Sequence, residues 1–293
     1  MVSARDLRRY APAMLFLLPA VAGLLLFRII PIIWAFALSF AEWRIFDQVK
    51  WVGLSNYAHI LSSPVSLQVL GNTAYYTAIY VPGVIALSLA LAVLLNNGLR
   101  SSAFFRGAFF LPYITSTVAI TLTWRWIFST RFGLLNHLLE TIGWTDPPAW
   151  LADPAWALPA VAIVAIWKDA GFFMLLLLAG LQTIDPTVYE AARIDGARPW
   201  RRFHTITLPL LSRSLFFVLI LALVRSTQTF EITYALTNGG PNRASTTLSF
   251  YIYQNAFVQF DMGYASALAY LLCFVTGLVT LINFYFRRRW VYE

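Results

Sequence analysis

The sequence predicts an all-α membrane protein with six transmembrane helices in a single domain over residues 1–293. Hydrophobic residues make up 59% of the chain and charged residues only 12%, which leaves too little polar material to cover a water-facing surface. The apolar residues lie in long blocks, near the ~20 residues that a helix needs to cross a bilayer. Because they do not form the short alternating segments of a β-barrel, we expect helical spans.

The first apolar block follows Arg5, Arg8 and Arg9, as in a secretory signal peptide. It continues from about Ala11 to Phe40 without a small-residue cleavage site, so we expect a retained first span. Each of the blocks is bounded by charge, Gly, Pro or Asn, which marks where a helix ends. The predicted spans are about 12–38, 73–95, 107–128, 158–181, 214–236 and 264–286.

Basic residues predict the orientation of these spans. With the N-terminus inside, thirteen of the 21 Lys and Arg residues are cytoplasmic, four are outside and four lie within the spans. The positive-inside rule therefore predicts a multi-pass protein with both termini in the cytoplasm. The thirteen are Arg5, Arg8, Arg9, Arg100, Arg106, Arg193, Arg198, Arg201, Arg202, Arg213, Arg287, Arg288 and Arg289, and the four outside are Arg44, Lys50, Arg131 and Arg243.

Charge and cysteine content exclude several other classes of protein. The net charge of +8 comes from short arginine runs between apolar blocks, which indicates membrane topology and argues against nucleic-acid binding. The single cysteine, Cys273, permits neither an internal disulfide nor a thiol metal cluster. We therefore expect a lipid bilayer as the surroundings, with no nucleic-acid partner.

The cytoplasmic loop between the fourth and fifth spans, 182–213, contains a compact helix. Asp185 is a good N-cap, Pro186 suits the first helical position, and Gly196 can end the helix in a left-handed conformation. A second short segment follows over 200–206 and leads through Leu208-Pro209 into the fifth span. The sequence predicts a helix–turn–helix across the cytoplasmic end of the bundle.

Motifs in and after this loop resemble those of a known family. Glu190-Ala191-Ala192, then Gly196, then Ile206-Thr207-Leu208-Pro209 resembles the EAA loop of permeases from bacterial binding-protein-dependent ABC importers. The carbohydrate branch of that family is indicated by 179–182, 194–197 and 236–241, with Tyr251, Tyr253, Phe257 and Gly263 beyond. The later motif resembles the first permease of maltose and glycerol-3-phosphate transporters, without the extra N-terminal spans and periplasmic insertion of the maltose protein.

The resemblance implies the type I ABC importer permease fold, with the loop as a coupling helix. It implies a bacterial or archaeal plasma-membrane protein that pairs with a homologous second permease, an ABC ATPase dimer and an extracytoplasmic solute-binding protein. The chain itself is expected to be non-catalytic and without a cofactor, since ATP and Mg would be bound by the partner ATPase. The residues it assigns to ATPase coupling are Glu190, Ala191, Ala192, Asp195, Gly196, Ile206, Leu208 and Pro209.

Polar residues inside the predicted spans indicate a solute path, because a charge facing lipid costs about 2.5–3.5 kcal/mol. Arg225, Gln228 and Glu231 recur every third residue of the fifth span, and Asp169 and Phe172 share a face of the fourth. A carboxylate beside a ring is common where sugars bind. The alternative is that these charges pair between helices to hold the bundle together. The candidate path residues are Asp169, Phe172, Arg225, Ser226, Gln228, Thr229 and Glu231.

Two other functions are considered. A stand-alone secondary transporter should show an internal repeat or paired interrupted spans, which are not evident, and it would leave the EAA loop unexplained. An intramembrane serine protease needs a buried Ser–His pair, whereas His59, His137 and His204 are all predicted in loops. The chain also has no phosphate-binding G-x-x-x-x-G-K-[ST] motif, so an energy source must come from a partner.

Overall fold

A computed structural model describes residues 15–44, 47–96 and 102–290, with side chains up to 287. Within these residues the protein is almost entirely helical, as predicted. Several residues named above lie outside the described residues or side chains: positions 12–14 of the first predicted span, and Arg5, Arg8, Arg9, Arg100, Arg288 and Arg289. The described residues divide into two compact units, one from 15–62 and 252–271 and the other from 63–251 and 272–290.

The first unit begins with helix α1, Leu15–Leu38. Its turn Leu25–Ile29 is π-helical, and we attribute this to Pro31, which has no N–H for a regular helical bond. Strands β1 (Ala41–Glu42) and β2 (Lys50–Trp51) pair antiparallel, with Ala41 opposite Trp51, and helix α2 (Ser55–Ser62) follows. The Asn56 side chain donates to the carbonyls of Ser39 and Ala41 at 3.0 and 2.9 Å, which fixes the turn after α1.

The second unit contains the helices that position the candidate site. They are α3 (Pro64–Asn96), α4 (Ser102–Ile114), α5 (Thr117–Ile127), α6 (Leu134–Thr141), α7 (Pro154–Gln182), α8 (Pro186–Ile194), α9 (Pro199–Leu210), α10 (Ser212–Thr227), α11 (Glu231–Leu236) and α12 (Leu248–Tyr253). A π-helical turn, Gln254–Val258, continues α12 in the first unit, and helix α13, Met262–Trp290, begins in the first unit and ends in the second.

Four described helices are long and apolar enough to cross a membrane, namely α1, α3, α7 and the Met262–Arg287 part of α13. The pairs α4–α5 and α9–α10 also pass this test, but they are bent by 96° and 70°. Four spans therefore become six if each bent pair is counted as one. The predicted third span, 107–128, is in fact broken at 115–116, where Ser116 adopts an extended conformation before α5 begins.

The predicted fifth span is also interrupted, because α10 ends at Thr227 and α11 begins at Glu231. Two carbonyls exposed by this break accept hydrogen bonds from the start of α12: Thr229 O from the Thr247 hydroxyl at 2.8 Å, and Thr227 O from the Ser249 hydroxyl. Backbone groups left unpaired in an apolar region are costly, so these hydroxyls stabilise the break. The prediction of one continuous helix over 214–236 was wrong at this point.

Helix α7 lies at the centre of the second unit and packs closely on α3 and α4. Ser88 of α3 donates to the Ala170 carbonyl of α7 at 3.0 Å, and a Cβ on Gly171 would overlap the Phe109 carbonyl of α4. Small residues allow such close packing between helices in a membrane. The core around α7 is formed by Tyr76, Tyr80, Val84, Phe173, Met174 and Leu177, among others.

The loops between the predicted spans contain short helices, not all of which were predicted. His59, His137 and His204 were predicted in the loops between spans, and they lie there on the short or interrupted helices α2, α6 and α9. These three helices are short and amphipathic or interrupted, so a hydropathy window does not distinguish them from loops. The second segment of the 182–213 loop is likewise longer than predicted, since α9 continues to Leu210 through a π-helical turn at Phe203–Thr207.

Candidate functional site

Helix α8 begins as the sequence predicts. The Asp185 side chain accepts a hydrogen bond from the Thr187 backbone N–H at 2.9 Å, and Pro186 occupies the first helical position. The hydrogen bond from this N–H holds the pKa of the exposed Asp185 carboxyl below its ordinary value. The predicted N-cap is therefore confirmed.

Helix α8 also ends as predicted, in a Schellman motif. The Ala197 N–H donates to the Ala192 carbonyl at 2.9 Å, and the Gly196 N–H donates to the Arg193 carbonyl at 3.0 Å. Gly196 has a φ of +71°, a conformation that strains any residue with a Cβ, although a Cβ there would meet nothing within 4 Å. The left-handed end at Gly196 is therefore confirmed, and the residue is required for backbone geometry rather than for packing.

The surface of α8 differs from the expectation at one position. Glu190 and Ala191 are exposed, but Ala192 is only 8% exposed, so it packs within the chain and cannot admit a partner. Sequence reasoning missed two apolar side chains beside it: Ile194 is 87% exposed and Trp200 is 74% exposed. Large apolar residues in an otherwise charged loop were the available signal, since exposed apolar groups mark interaction surfaces.

Helices α8 and α9 are joined by side chains. The hydroxyls of Tyr189 and Thr207 are hydrogen-bonded at 3.2 Å. A groove of about 670 Å³ lies beside this contact, with Glu190, Arg193 and Arg202 among its lining residues. The other coupling candidates lie around it: Asp195 is the exposed C-cap of α8, and Ile206, Leu208 and Pro209 are half-buried on α9.

A second cluster of polar residues joins three long helices. The carboxylate of Asp169, on α7, accepts a hydrogen bond from the Tyr80 hydroxyl of α3 at 2.6 Å. The Arg225 guanidinium of α10 lies 3.4 Å from the other carboxylate oxygen, and this is the one ion pair among the described residues. Arg225 thus pairs with Asp169 and not with Glu231, which is the pairing between helices that the alternative interpretation of these charges expected.

Aromatic rings cover the Arg225 guanidinium. Its carbon lies 4.9 Å from the ring centroid of Tyr113 and 5.0 Å from that of Phe172, which are the distances of cation–π contacts. The guanidinium also donates to the Tyr113 hydroxyl. The rings of Tyr113 and Phe172 stack at 4.7 Å, so Phe172 contacts Arg225 and Tyr113, which differs from the sugar-facing role expected from sequence. Lys168 donates to the Tyr113 carbonyl at 3.5 Å.

A cavity of about 440 Å³ adjoins this cluster and is called the central cavity below. Five of the seven predicted path residues line it, whereas Phe172 and Ser226 do not. Ser226 is buried between helices, where its hydroxyl accepts from Thr77 of α3 at 3.0 Å. The lining residues are Tyr76, Thr117, Ala165, Lys168, Asp169, Arg225, Gln228, Thr229, Phe230, Glu231 and Ile232.

Three polar residues of the central cavity were not predicted: Tyr76, Thr117 and Lys168. Tyr76 and Tyr80 lie one turn apart on α3 and their rings stack at 5.5 Å, so paired tyrosines in an apolar span were an available signal. Thr117 follows the bend between α4 and α5, in the polar run Thr115-Ser116-Thr117. The interruption at 228–230 also changes the site, because it places Gln228 and Thr229 outside a helix and Glu231 at the start of α11.

Tyr76 lies at the central cavity, and its hydroxyl is incompletely hydrogen-bonded. Tyr76 is completely buried. Its hydroxyl has no hydrogen bond of good distance and angle among the described residues, although the Thr229 side chain lies close enough to interact with it. Buried hydroxyls normally find a partner, and the Thr229 side chain is the neighbour that can provide one here. No group of three or more His, Cys, Asp or Glu within the described part of the chain could bind a metal ion.

Several long apolar helices, a polar cavity within the second unit and an exposed helix–turn–helix in one loop define a multi-pass membrane transport protein. Residues 83–291 match the family described as the binding-protein-dependent transport system inner membrane component, and the chain belongs to that family. It is therefore an importer permease that works with a second permease, ATPase subunits and a solute-binding protein, and not a stand-alone carrier.

Known proteins resemble the chain over 80% or more of its length. The lactose transport system permease of Rhizobium radiobacter is 35% identical over 293 residues, which cover 98% of each chain. The sulfoquinovosyl glycerol transport system permease of Agrobacterium fabrum is 37% identical over 233 residues, covering 80% of this chain and 75% of the other. The crystal structure of a bacterial ABC transporter involved in the import of the acidic polysaccharide alginate matches with a TM-score of 0.84 and 25% identity. The match covers 97% of this chain and 98% of the other.

Proposed function

We propose that this permease forms one half of the pore of an ATP-driven importer for sugars or sugar-like solutes, and that its 182–213 loop couples the pore to the ATPase. The relatives named for lactose and sulfoquinovosyl glycerol support a sugar-like solute. The lining of the central cavity also supports it, because the Tyr76, Thr117 and Thr229 hydroxyls and the Gln228 amide offer both donors and acceptors.

The observation that carries the coupling role is the exposed helix α8, ended by a left-handed glycine. Glu190 and Ala191 face outward on it, and Ile194 and Trp200 add apolar surface beside them. A short helix with a charged residue and apolar neighbours can dock in a cleft of a partner subunit. Gly196 fixes the angle at which the chain leaves this helix, so it sets the position of α9 against the docked α8.

The solute path is proposed along the central cavity. Asp169, Arg225, Gln228, Thr229 and Glu231 line it, and the Arg225–Asp169 pair joins α7 to α10 at its wall. A second cavity of about 670 Å³ shares Thr117, Phe230 and Glu231 with it, which extends the polar path along α5 and α11.

The chain is proposed to be non-catalytic and without its own cofactor, with ATP and Mg bound by the partner ATPase. The orientation is proposed from the basic residues, of which thirteen lie on one side and four on the other. Both termini and the 182–213 loop would then be in the cytoplasm of a bacterium or archaeon, where ATP is present. Closure of the ATPase dimer would pull the loops of the two permeases together and open the pore outward, and hydrolysis would reverse this motion.

A matched pair of glycine variants tests the coupling role. Gly196→Val and Gly143→Val impose the same strain, since both glycines have a positive φ, +71° and +93°, and neither has an atom within 4 Å of an added Cβ. Gly143 follows α6, outside the 182–213 loop. We expect Gly196→Val, with or without Glu190→Ala, to lose both the co-purified ATPase and ATP-driven uptake, while Gly143→Val keeps them.

The measurements are mass spectrometry of the tagged, gently solubilised complex and uptake of labelled lactose, trehalose and arabinose oligosaccharides by membrane vesicles with the binding protein. Gly196→Asn should retain much of the activity, because asparagine tolerates a left-handed conformation. Equal ATPase retention in Gly196→Val and Gly143→Val would reject the coupling role. Failure of the wild-type transporter to accumulate any sugar would reject the solute class.

A further inference from the structure

The central cavity has an equal number of positive and negative groups. Its lining contains two cations, Lys168 and Arg225, and two carboxylates, Asp169 and Glu231. The relatives leave the charge of the solute open, since lactose is neutral whereas sulfoquinovosyl glycerol bears a sulfonate and alginate is acidic. The arrangement of these four groups bears directly on that question.

The Arg225 charge is largely engaged within the chain, although 34% of its side chain is exposed. Its guanidinium is paired with Asp169, bonded to the Tyr113 hydroxyl and covered by the rings of Tyr113 and Phe172. Asp169 is also bound by the Tyr80 hydroxyl, so the pair is fixed from both sides. An acid that took the place of Asp169 at Arg225 would leave that carboxylate buried without a counter-charge, which is costly.

The other two charged residues that line the cavity, Lys168 and Glu231, have opposite sign. The Lys168 ammonium donates to the Tyr113 carbonyl at 3.5 Å and lies 5.6 Å from the Tyr113 ring centroid, and Glu231 has no ion-pair partner among the described residues. An anion is therefore attracted by Lys168 and repelled by Glu231, whereas a cation is attracted by Glu231 and repelled by Lys168. The remaining polar groups that line the cavity, on Tyr76, Thr117, Gln228 and Thr229, are neutral.

We propose that this half of the pore selects an uncharged, hydroxyl-rich solute, and that Lys168 and Glu231 are the residues that set this preference. Resting on the proposed function, this deepens it by naming the charge class of the sugar. The Thr117 and Thr229 hydroxyls and the Gln228 amide at the cavity can donate to and accept from solute hydroxyls. Groups that bind hydroxyls in a buried site discriminate strongly against solutes that leave them unpaired.

Saturation-transfer NMR on the purified complete transporter, without binding protein, tests the proposal at millimolar probe concentrations. The neutral probes are lactose, trehalose and arabinobiose, and the acidic probes are digalacturonate and dimannuronate. We expect the neutral disaccharides to receive more saturation than the uronates. Two variants that each neutralise one charge, with little change in side-chain size, should then shift the ratio of uronate to neutral-disaccharide binding in opposite directions. We expect a shift of about fivefold for each unit charge removed.

Glu231→Gln leaves a net positive cavity and should favour the uronates, whereas Lys168→Gln leaves a net negative cavity and should disfavour them. Arg125→Gln removes a span arginine that does not line the central cavity, so it should leave the ratio unchanged. A purely structural role for Lys168 and Glu231 would lower the binding of every probe and would not produce shifts of opposite sign.

The proposal is overturned if the wild type binds uronates as well as neutral disaccharides, if no neutral disaccharide binds, or if the two variants shift the ratio the same way. These failures differ from failure of the proposed function. A transporter that accumulates sugars with ATP and binding protein, yet takes acidic and neutral ones equally, keeps its function and loses only this charge selectivity.

Discussion

Helix α8 and the central cavity are fixed by hydrogen bonds of very different range. The side-chain and turn bonds that begin and end α8 join residues no more than five positions apart, such as Asp185 with Thr187 and Ala192 with Ala197. At the cavity, Asp169 bonds residues 56 and 89 positions away, and nearby between the helices Ser226 bonds a residue 149 positions away. Changes in the loop should therefore have local effects, whereas changes at the cavity should separate whole helices.

Removal of the Asp169 carboxylate is expected to have the largest effect. Asp169→Ala leaves Arg225 without a counter-charge and Tyr80 without an acceptor. Breaking a buried ion pair on one side costs about 3–5 kcal/mol, and because 34% of the Arg225 side chain is exposed, we expect a loss near the low end, about 3 kcal/mol. Thermal unfolding of the purified transporter in detergent measures this change.

The control for this variant is Asp146→Ala, which removes an exposed carboxylate outside the cavity and should cost little. The double variant Asp169→Ala with Arg225→Met removes both charges and should be more stable than Asp169→Ala alone, since no charge is left unpaired. If the double variant were less stable than the single one, the ion pair would not be the source of the effect.

Two tyrosines one turn apart on α3 sharpen the same comparison. Tyr80→Phe removes the 2.6 Å hydrogen bond to the Asp169 carboxylate and should cost about 1.5 kcal/mol, as bonds to charged groups do. Tyr76→Phe removes a hydroxyl that has no bond of full geometry, so it should cost well under that amount. Unfolding midpoints of the two variants give the difference, and equal losses would count against the Asp169 cluster as an anchor.

The sequence was sufficient to predict helix α8 because its signals are local. Asp185, Pro186 and Gly196 each act within one turn of their own position, so their conformations follow from residue type alone. The apolar blocks of α1, α3, α7 and α13 were likewise predictable from composition, although their ends differ by several residues. Lipid-facing and buried helices both require long apolar segments, and hydropathy detects these directly.

The cavity could be predicted only in part, because its geometry depends on contacts between distant segments. Asp169, Arg225 and Glu231 were found as charges within spans, but their pairing required the packing of α7 on α10. The break at 228–230 depends on hydroxyls of Thr247 and Ser249 that are about 20 positions further along the chain. Hydropathy averages over such a break, which is why a continuous helix was predicted there.

That break provides a third prediction. Thr247→Val removes the hydroxyl that donates to the Thr229 carbonyl at 2.8 Å and should destabilise the protein by about 1 kcal/mol, since a buried carbonyl loses its partner. Thr141→Val removes an exposed hydroxyl that donates only to the Leu138 carbonyl of its own helix, so it serves as the local control. Unfolding curves should show a loss for Thr247→Val alone, and equal losses would reject the role of α12 in stabilising the break.

The smallest expected effect is at Asp185, and it depends on pH. Because the hydrogen bond from Thr187 lowers the pKa of Asp185 below its ordinary value of 3.8, the charged cap is fully present above that pH and is lost as the pH falls through the lower, folded-state pKa. Hydrogen exchange at the Thr187 amide should therefore accelerate relative to its intrinsic rate only at the acid end of a titration. Asp185→Asn keeps a capping side chain that does not titrate in this range, so the acid-dependent part should vanish while the helix remains. Persistence of the same acid transition in Asp185→Asn would assign it to another group, and an effect that spread from α8 to the Asp169 cluster would contradict the local character of the loop.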